Sequence, residues 1–229
     1  MTLRLQREIE RLKYQILEVG ALVEQAVRLA VTAIDEGDAD AARRVIAGDA
    51  RIDEMEVLLE EECLKVLSLH QPVAQDLRLI IAAMKMNNDM ERIGDLAVNI
   101  VERALYLATK AEITPPFNLV LMGTSVQTMV KKSLDSFVGA DEKLAREVIQ
   151  QDDVIDDMNR ENYAAVIAEM RKDENSIARF MHYISVSSQL ERIADLATNI
   201  AEDVIYLVEG DIIRHRARVA AESSADEAD

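Results

Sequence analysis

The sequence predicts an all-α protein built as two tandem, pseudo-symmetric three-helix bundles, with six long helices running up and down. Three observations predict it. Residues 90–100 read Met-Glu-Arg-Ile-Gly-Asp-Leu-Ala-Val-Asn-Ile, and residues 190–200 read Leu-Glu-Arg-Ile-Ala-Asp-Leu-Ala-Thr-Asn-Ile, so the chain carries the same text twice. Apolar residues recur at three- and four-residue steps almost throughout, the period of an amphipathic helix. Breakers are scarce: seven Gly and three Pro in 229 residues, against a background rich in Ala, Leu, Ile, Val, Glu, Arg and Met, mostly good helix formers.

The repeat extends well beyond that motif. Ala42, Arg43, Val45, Ile46 and Asp49 recur as Ala145, Arg146, Val148, Ile149 and Asp152, and Ile52, Asp53 and Met55 as Ile155, Asp156 and Met158. Upstream, Val23, Val27 and Ile34 fall on Val126, Val130 and Phe137. The offset is 103 residues in this stretch and 100 at the later motif, so the first half carries three extra residues. The segment around Ser68-Leu69-His70-Gln71-Pro72 is where a loop would hold them. A unit of roughly a hundred residues is a duplicated half-chain, too long for a solenoid repeat.

The elements follow from the breakers. Glu36-Gly37-Asp38 ends a first helix, and His70-Gln71-Pro72 separates the second from the third, with proline suited to a helix start. Thr114-Pro115-Pro116 divides the halves. Val138-Gly139-Ala140-Asp141 and Lys172-Asp173-Glu174-Asn175-Ser176 separate the last three helices. Each helix is expected to hold about 25–38 residues, roughly 40–55 Å at 1.5 Å per residue. Short links imply antiparallel neighbours. The predicted units are residues 1–112 and 113–213. A C-terminal tail over 214–229 follows; from Glu222 onward, Ser-Ser-Ala-Asp-Glu-Ala-Asp is acidic and without apolar period, and is expected to be disordered.

Bulk properties exclude several functions. A formal net charge of −17 opposes unaided nucleic-acid binding; the Arg214-His215-Arg216-Ala217-Arg218 cluster suits a solvated helix end. The single cysteine, Cys63, cannot form an internal disulfide, and among Leu59, Leu64 and Leu67 it reads as a small buried hydrophobe. Residues 1–8 lack the apolar core of a signal peptide, and no stretch approaches the ~20 apolar residues of a membrane span. The expected location is the cytoplasm, with any membrane attachment made through a partner.

The candidate chemistry lies in four acidic pairs at matching places: Asp49/Asp53 and Glu91/Asp95, then Asp152/Asp156 and Glu191/Asp195. Residues four apart share a helix face, where like charges repel by a few tenths of a kcal/mol. On a helical wheel Asn88, Glu91, Asp95, Asn99 and Glu102 form one stripe, and Ile93, Ala97 and Ile100 face the opposite way, into a core. Asp49, Asp53, Glu56 and Glu60 form a similar stripe on the second helix. Its fifth-helix equivalent is less acidic, since Asn159 and Tyr163 replace Glu56 and Glu60. If neighbouring helices bring these stripes together, each half needs a cation to offset the repulsion. Carboxylate and amide oxygens without Cys or His favour hard cations such as Mg²⁺, Ca²⁺, Mn²⁺ or ferric iron, and disfavour structural zinc. Arg92 and Arg192 flank the stripes, either as partners of carboxylates or as holders of an anion beside a metal.

At these residues the chain resembles the PhoU family, phosphate-uptake regulators of bacteria and archaea. The resemblance covers about residues 5–210. It rests most firmly on Gln71-Pro72 followed by Asp76-Leu77-Arg78, on Asp89-Met90-Glu91-Arg92-Ile93-Gly94-Asp95, and on the degenerate copy from Glu191 to Asn199. It implies a fold of two similar three-helix bundles and paired Glu/Asp-x-x-x-Asp motifs able to bind metal, in some members as multinuclear iron clusters. By that likeness Asp49, Asp53, Glu91 and Asp95 form one site, and Asp152, Asp156, Glu191 and Asp195 the other. Asn99 and Asn199 stand as additional or supporting groups. Asp89 is replaced by Gln189 and Gly94 by Ala194, which makes the second site less anionic. The resemblance also implies a homodimer without catalytic residues. Its role would be to link the ATPase of a phosphate ABC transporter to a sensor histidine kinase, repressing phosphate-starvation genes when phosphate is plentiful.

Two other functions compete. A di-iron oxidase in a helical bundle needs Glu-x-x-His pairs on facing helices, but His70, His182 and His215 follow Leu67, Arg179 and Ile212 at that spacing. A purely structural helical module would leave the acidic stripes as solvated faces.

Overall fold

In the computed structural model, residues 3–111 and 113–210 are described. Six α-helices follow in order: α1 (Leu3–Glu36), α2 (Ala39–His70), α3 (Ala74–Ala108), α4 (Leu119–Gly139), α5 (Glu142–Met170) and α6 (Ile177–Glu209), with a short 3₁₀ turn at Glu174–Ser176. The helices α1, α2 and α3 pack mutually as one three-helix bundle and α4, α5 and α6 as the other. The bundles join along α3 against α6 and α1 against α4. In each join a helix meets its own repeat-mate, as a pseudo-two-fold requires. The tail over 214–229, expected to be disordered from Glu222 onward, and the Arg214–Arg218 cluster lie outside the described residues.

Local chemistry explains the boundaries. Asp38 caps α2, its carboxylate accepting from the backbone N–H of Asp40 (2.8 Å) and Ala41 (3.0 Å). Asp141, its repeat-mate, caps α5 by accepting from Leu144 N–H at 3.0 Å, and Asn118 caps α4 through Leu121 N–H at 2.9 Å. Each satisfies donors that the first helical turn leaves without partners. Gly37, with φ of 65°, makes the left-handed turn between α1 and α2.

Two expectations change. The three extra residues of the first half are helical: Ser68, Leu69 and His70 extend α2, while the loops 71–73 and 171–173 are equal in length. Helix α4 has 21 residues, below the expected range. Pro115 and Pro116 lack N–H donors, and Asn118 starts the helix late, so the first turns of α1 have no counterpart in α4. Those turns bury Leu5, Ile9 and Leu12, and Arg11 reaches Glu62 of α2 at 3.6 Å.

The core is continuous across both bundles. Along α1, Leu5, Ile9, Leu12, Ile16, Val19 and Val23 are buried at alternating steps of four and three, the seam of a helix facing its bundle. The α3–α6 join also carries polar cross-links. Lys85 Nζ donates to the buried Asp203 carboxylate at 3.1 Å and lies 5.6 Å over the ring of Tyr206. At the repeat-mate, Tyr106, the imidazole of His182 stacks at 3.9 Å instead.

The α1–α4 join is close at Gly123, where an added Cβ would meet Val31 Cγ1 and Cγ2 at 2.8 Å. Gly48, in the exposed part of α2, has nothing within 4 Å of such an atom, and its repeat-mate is Gln151. Gly48→Ala is therefore expected to stabilise by about 0.5–1 kcal/mol through backbone entropy. Gly123→Ala is expected to destabilise by about 1 kcal/mol net, overpacking exceeding the same gain. Urea unfolding midpoints of the two variants against wild type check both signs.

Candidate metal centre

In the first bundle the buried face of α2 (Val45, Ile52, Met55, Leu59) and that of α3 (Met86, Met90, Ile93, Ala97) leave the acidic residues along the rim of the helix pair. Asp49 and Asp53 of α2 meet Glu91 and Asp95 of α3. Burial first, and then the charges of Asp53 and Asp95, raise the pKa of Asp49. Glu91 is raised by burial and then by Asp95, Asp53, Glu56 and Asp49. All four predicted residues thus share one field, and Glu56 adds a fifth carboxylate. The register of the pair is held by buried Asn87, whose Nδ2 donates to the backbone carbonyl of Glu56 at 2.8 Å. Gly94 keeps α2 close: a Cβ there would lie 3.2 Å from Ile52 Cδ1 and 3.5 Å from Asp49 Oδ1.

The second bundle repeats the arrangement with Asp152 and Asp156 on α5 and Glu191 and Asp195 on α6. Carboxylate oxygens of Asp156, Glu191 and Asp195 all lie within 4.8 Å of one another. Asp152 is pushed up to about 6, by burial first and then by Asp195 and Asp156. Its Oδ1 is buried without a hydrogen-bond partner, as is the Thr198 hydroxyl. Thr198 is near enough to offset a little of that shift, but the pair does not reach hydrogen-bond geometry. Burial and then neighbouring acids also raise Glu191 and Asp195, with Arg192 partly opposing.

The less anionic second half therefore holds the tighter carboxylate group among the described residues. Its outer end is neutral and satisfied. Asn162 Nδ2 donates to Ser187 Oγ (3.0 Å), Ser187 Oγ donates to Asn159 Oδ1 (2.7 Å), and Tyr163 and Ser188 hydroxyls pair at 2.9 Å. In the first half Glu56 and Glu60 occupy the places of Asn159 and Tyr163, so negative charge continues along the helix. Thr198 was missed by motif reading. Its only signal is a Val-to-Thr change from Val98 in an otherwise apolar repeat position.

Of the flanking groups, Arg92 Nη1 lies 4.0 Å from Asp89 Oδ1. Arg192 lowers both Glu191 and Asp195. Asn99 and Asn199 sit one turn beyond Asp95 and Asp195, where α3 faces α6. Cys63 is buried and free, its thiol pushed up to about 12 by burial and by Glu62 and Glu60, so it is inert packing. A groove of about 550 Å³ between α1 and α4 lies away from both clusters.

The donor set fits a hard cation. It is all oxygen, it concentrates like charge that a bound ion would relieve, and it leaves Asp152 Oδ1 buried with no partner. The groups that would hold such an ion are Asp49, Asp53, Glu91 and Asp95 in one half and Asp152, Asp156, Glu191 and Asp195 in the other.

The family model for the PhoU domain matches residues 16–104 and again residues 119–204. The chain belongs to the PhoU family. The two matches begin 103 residues apart and end 100 apart, the same register change that the α2 extension produces. A PhoU homolog of Aquifex aeolicus, named a phosphate-specific transport system accessory protein, is 38% identical over 93% of this chain and 97% of its own length. The Pseudomonas putida homolog of the same name is 41% identical over 91% of this chain and 82% of its own. The crystal structure of PhoU from Pseudomonas aeruginosa superposes with a TM-score of 0.87 at 39% identity, covering 90% of this chain and 99% of that one. The phosphate transport system regulatory protein PhoU from Streptococcus pneumoniae gives 0.82 at 29% identity, covering 91% and 99%.

The raised Asp152 sets a pH dependence for chelator-treated protein. An unfolded Asp titrates near about 4. Between about 4 and about 6 the folded carboxyl keeps its proton while the unfolded one has lost it. Stability supplied by that proton is present at the acid end of the window and is lost as pH rises through it. The metal-free protein is expected to melt higher at pH 5 than at pH 7.5. Asp152→Asn should raise the melting temperature at pH 7.5 and flatten the difference. Thermal melts at the two pH values check this, and an unchanged profile in the variant refutes it.

Proposed function

We propose that this protein is a metal-binding regulatory adapter of phosphate uptake. It acts in the cytoplasm as a homodimer, contacts the ATPase of a phosphate ABC transporter and a sensor histidine kinase, and represses phosphate-starvation genes when phosphate is plentiful. The regulatory part is supported by membership of a family whose matched relatives are named accessory proteins of phosphate-specific transport. No described helix is long and apolar enough to cross a membrane, so attachment to a transporter would run through protein contacts.

The metal part rests on one observation: mutually repelling carboxylates, several of them half-buried, at equivalent places in both halves, one of them with a buried oxygen that has no hydrogen-bond partner. Ions bound there would cross-link α2 to α3 and α5 to α6, so their loss would loosen each bundle along one edge. The oxidase alternative gains no support. His70 ends α2, and His182 is stacked on Tyr106 at the bundle join; His215 lies outside the described residues.

Elemental analysis of protein purified without an affinity tag or chelator tests the metal. Wild type should carry metal, and Glu91→Gln/Asp95→Asn and Glu191→Gln/Asp195→Asn should each lose the share of their own half. Re-adding the ion at a hundredfold its Kd should stabilise wild type by about 2.7 kcal/mol per site. Metal-free wild type, with variants as stable or more so, would assign the stripes to solvated surface. In the cell, deletion should switch on phosphate-starvation genes in rich phosphate; unchanged repression would refute the regulatory role.

A further inference from the structure

Between α3 and α6 a cleft of about 260 Å³ opens on the pseudo-two-fold. Arg92, Asp95 and Asn99 line it on one side, and their repeat-mates Arg192, Asp195 and Asn199 on the other, over Leu96 and Leu196. Residues three and seven positions apart share a helix face. The packing of α3 on α6 therefore sets two copies of an Arg-x-x-Asp-Leu-x-x-Asn face against each other.

The donors in this cleft are largely unspent. Among the described residues, Arg192, Asn99 and Asn199 form no hydrogen bond or ion pair, and Arg92 has only its 4.0 Å contact with Asp89. Two guanidiniums and two amides can donate, two carboxylates can only accept, and the six groups sum to zero formal charge. A bare cation meets the arginines. A fully ionised oxyanion such as sulfate meets the aspartates. The ligand that satisfies both sets accepts several hydrogen bonds and also brings its own hydrogens. At neutral pH inorganic phosphate is such a species, carrying one or two protons on a tetrahedral oxyanion, and sulfate carries none. Planar guanidiniums suit its paired oxygens. The cleft is smaller than the ~300–1,000 Å³ of drug-sized sites, which favours a free ion.

We propose that this cleft binds inorganic hydrogen phosphate. Arg92, Arg192, Asn99 and Asn199 donate to its oxygens, and Asp95 and Asp195 accept from its hydroxyls. The proposal deepens the reading above by giving the regulator a phosphate site of its own, and its cellular meaning rests on that reading. Asp95 and Asp195 also belong to the two carboxylate clusters, so a cation there would lessen their repulsion of the anion and tighten its binding.

Calorimetric titration of the full chain with sodium phosphate tests this. Wild type should bind one phosphate saturably and sulfate at least about tenfold more weakly. Arg92→Gln/Arg192→Gln should weaken phosphate at least about tenfold with an unchanged melting temperature. If that variant fails to fold, Arg92→Lys/Arg192→Lys, which keeps the charge and loses the planar fork, should weaken it to a lesser degree. Asp95→Asn/Asp195→Asn should bring sulfate and phosphate affinities together. Phosphoserine should bind more weakly than the free ion; tighter binding would overturn the free-ion assignment in favour of a phosphorylated partner. Absence of phosphate binding at millimolar concentration, equal affinity for sulfate in wild type, or indifference to the arginine pair would each overturn the proposal. Metal content and gene repression are separate readouts from the titration, so a regulator that holds metal without phosphate is distinguished from one that fails in both.

Discussion

Burial of the apolar faces of α3 and α6, each against the other helices of its bundle and against its own repeat-mate, dictates where the carboxylates point. On α3, Met90, Ile93, Ala97 and Ile100 are fully buried, and full burial of each large side chain contributes about 1.5–3 kcal/mol. Exposed like charges at i,i+4 oppose this by only a few tenths of a kcal/mol. The core therefore decides the rotation of each helix, and Glu91 and Asp95 are carried to the seam with α2 against their mutual repulsion. The same holds for Glu191 and Asp195 on α6. The raised pKa values of Asp49, Glu91, Asp152 and Asp195 are the electrostatic residue of that contest.

Duplication makes the two halves alike and local substitution makes them differ. Gly94 lets α2 approach α3 closely, and Ala194 fills the matching place on α6. The neutral network of Asn159, Asn162, Ser187 and Tyr163 closes the outer end of the second cluster, while Glu56 and Glu60 prolong the first. The first half thus spreads its charge along two helices. The second concentrates fewer charges in a smaller space, and there Asp152 is pushed up to about 6. A cation in the second half would meet a nearly assembled shell; in the first it would draw together side chains that are now further apart.

The join between the halves has its own chemistry. Tyr106 and Tyr206 are repeat-mates, yet one stacks on His182 and the other lies under Lys85, which is itself held by buried Asp203. These cross-links are not interchangeable, so the pseudo-symmetry of the backbone does not extend to the polar groups that tie the bundles. Near the middle of the join the sequence is again symmetric, and there the arginine, aspartate and asparagine faces oppose one another.

The all-α class, the six helices and the duplicated half-chain were legible in the sequence by itself, because periodicity and helix breakers are local properties. So were the eight carboxylates, since an i,i+4 spacing puts Glu91 with Asp95 on one face whatever the tertiary fold. Helix lengths were less secure: Ser68–His70 continue α2 and Pro115–Pro116 delay α4, choices made by packing and capping beyond a periodic pattern. Only the tertiary structure decided that the stripes of α2 and α3 meet, that Asp152 Oδ1 is buried without a hydrogen-bond partner, and that Thr198 stands beside it. Distance and desolvation depend on residues far apart in the chain, as does the cleft that brings Arg92 opposite Arg192. A sequence records which side chains share a face; the packing of one helix on another decides which faces meet.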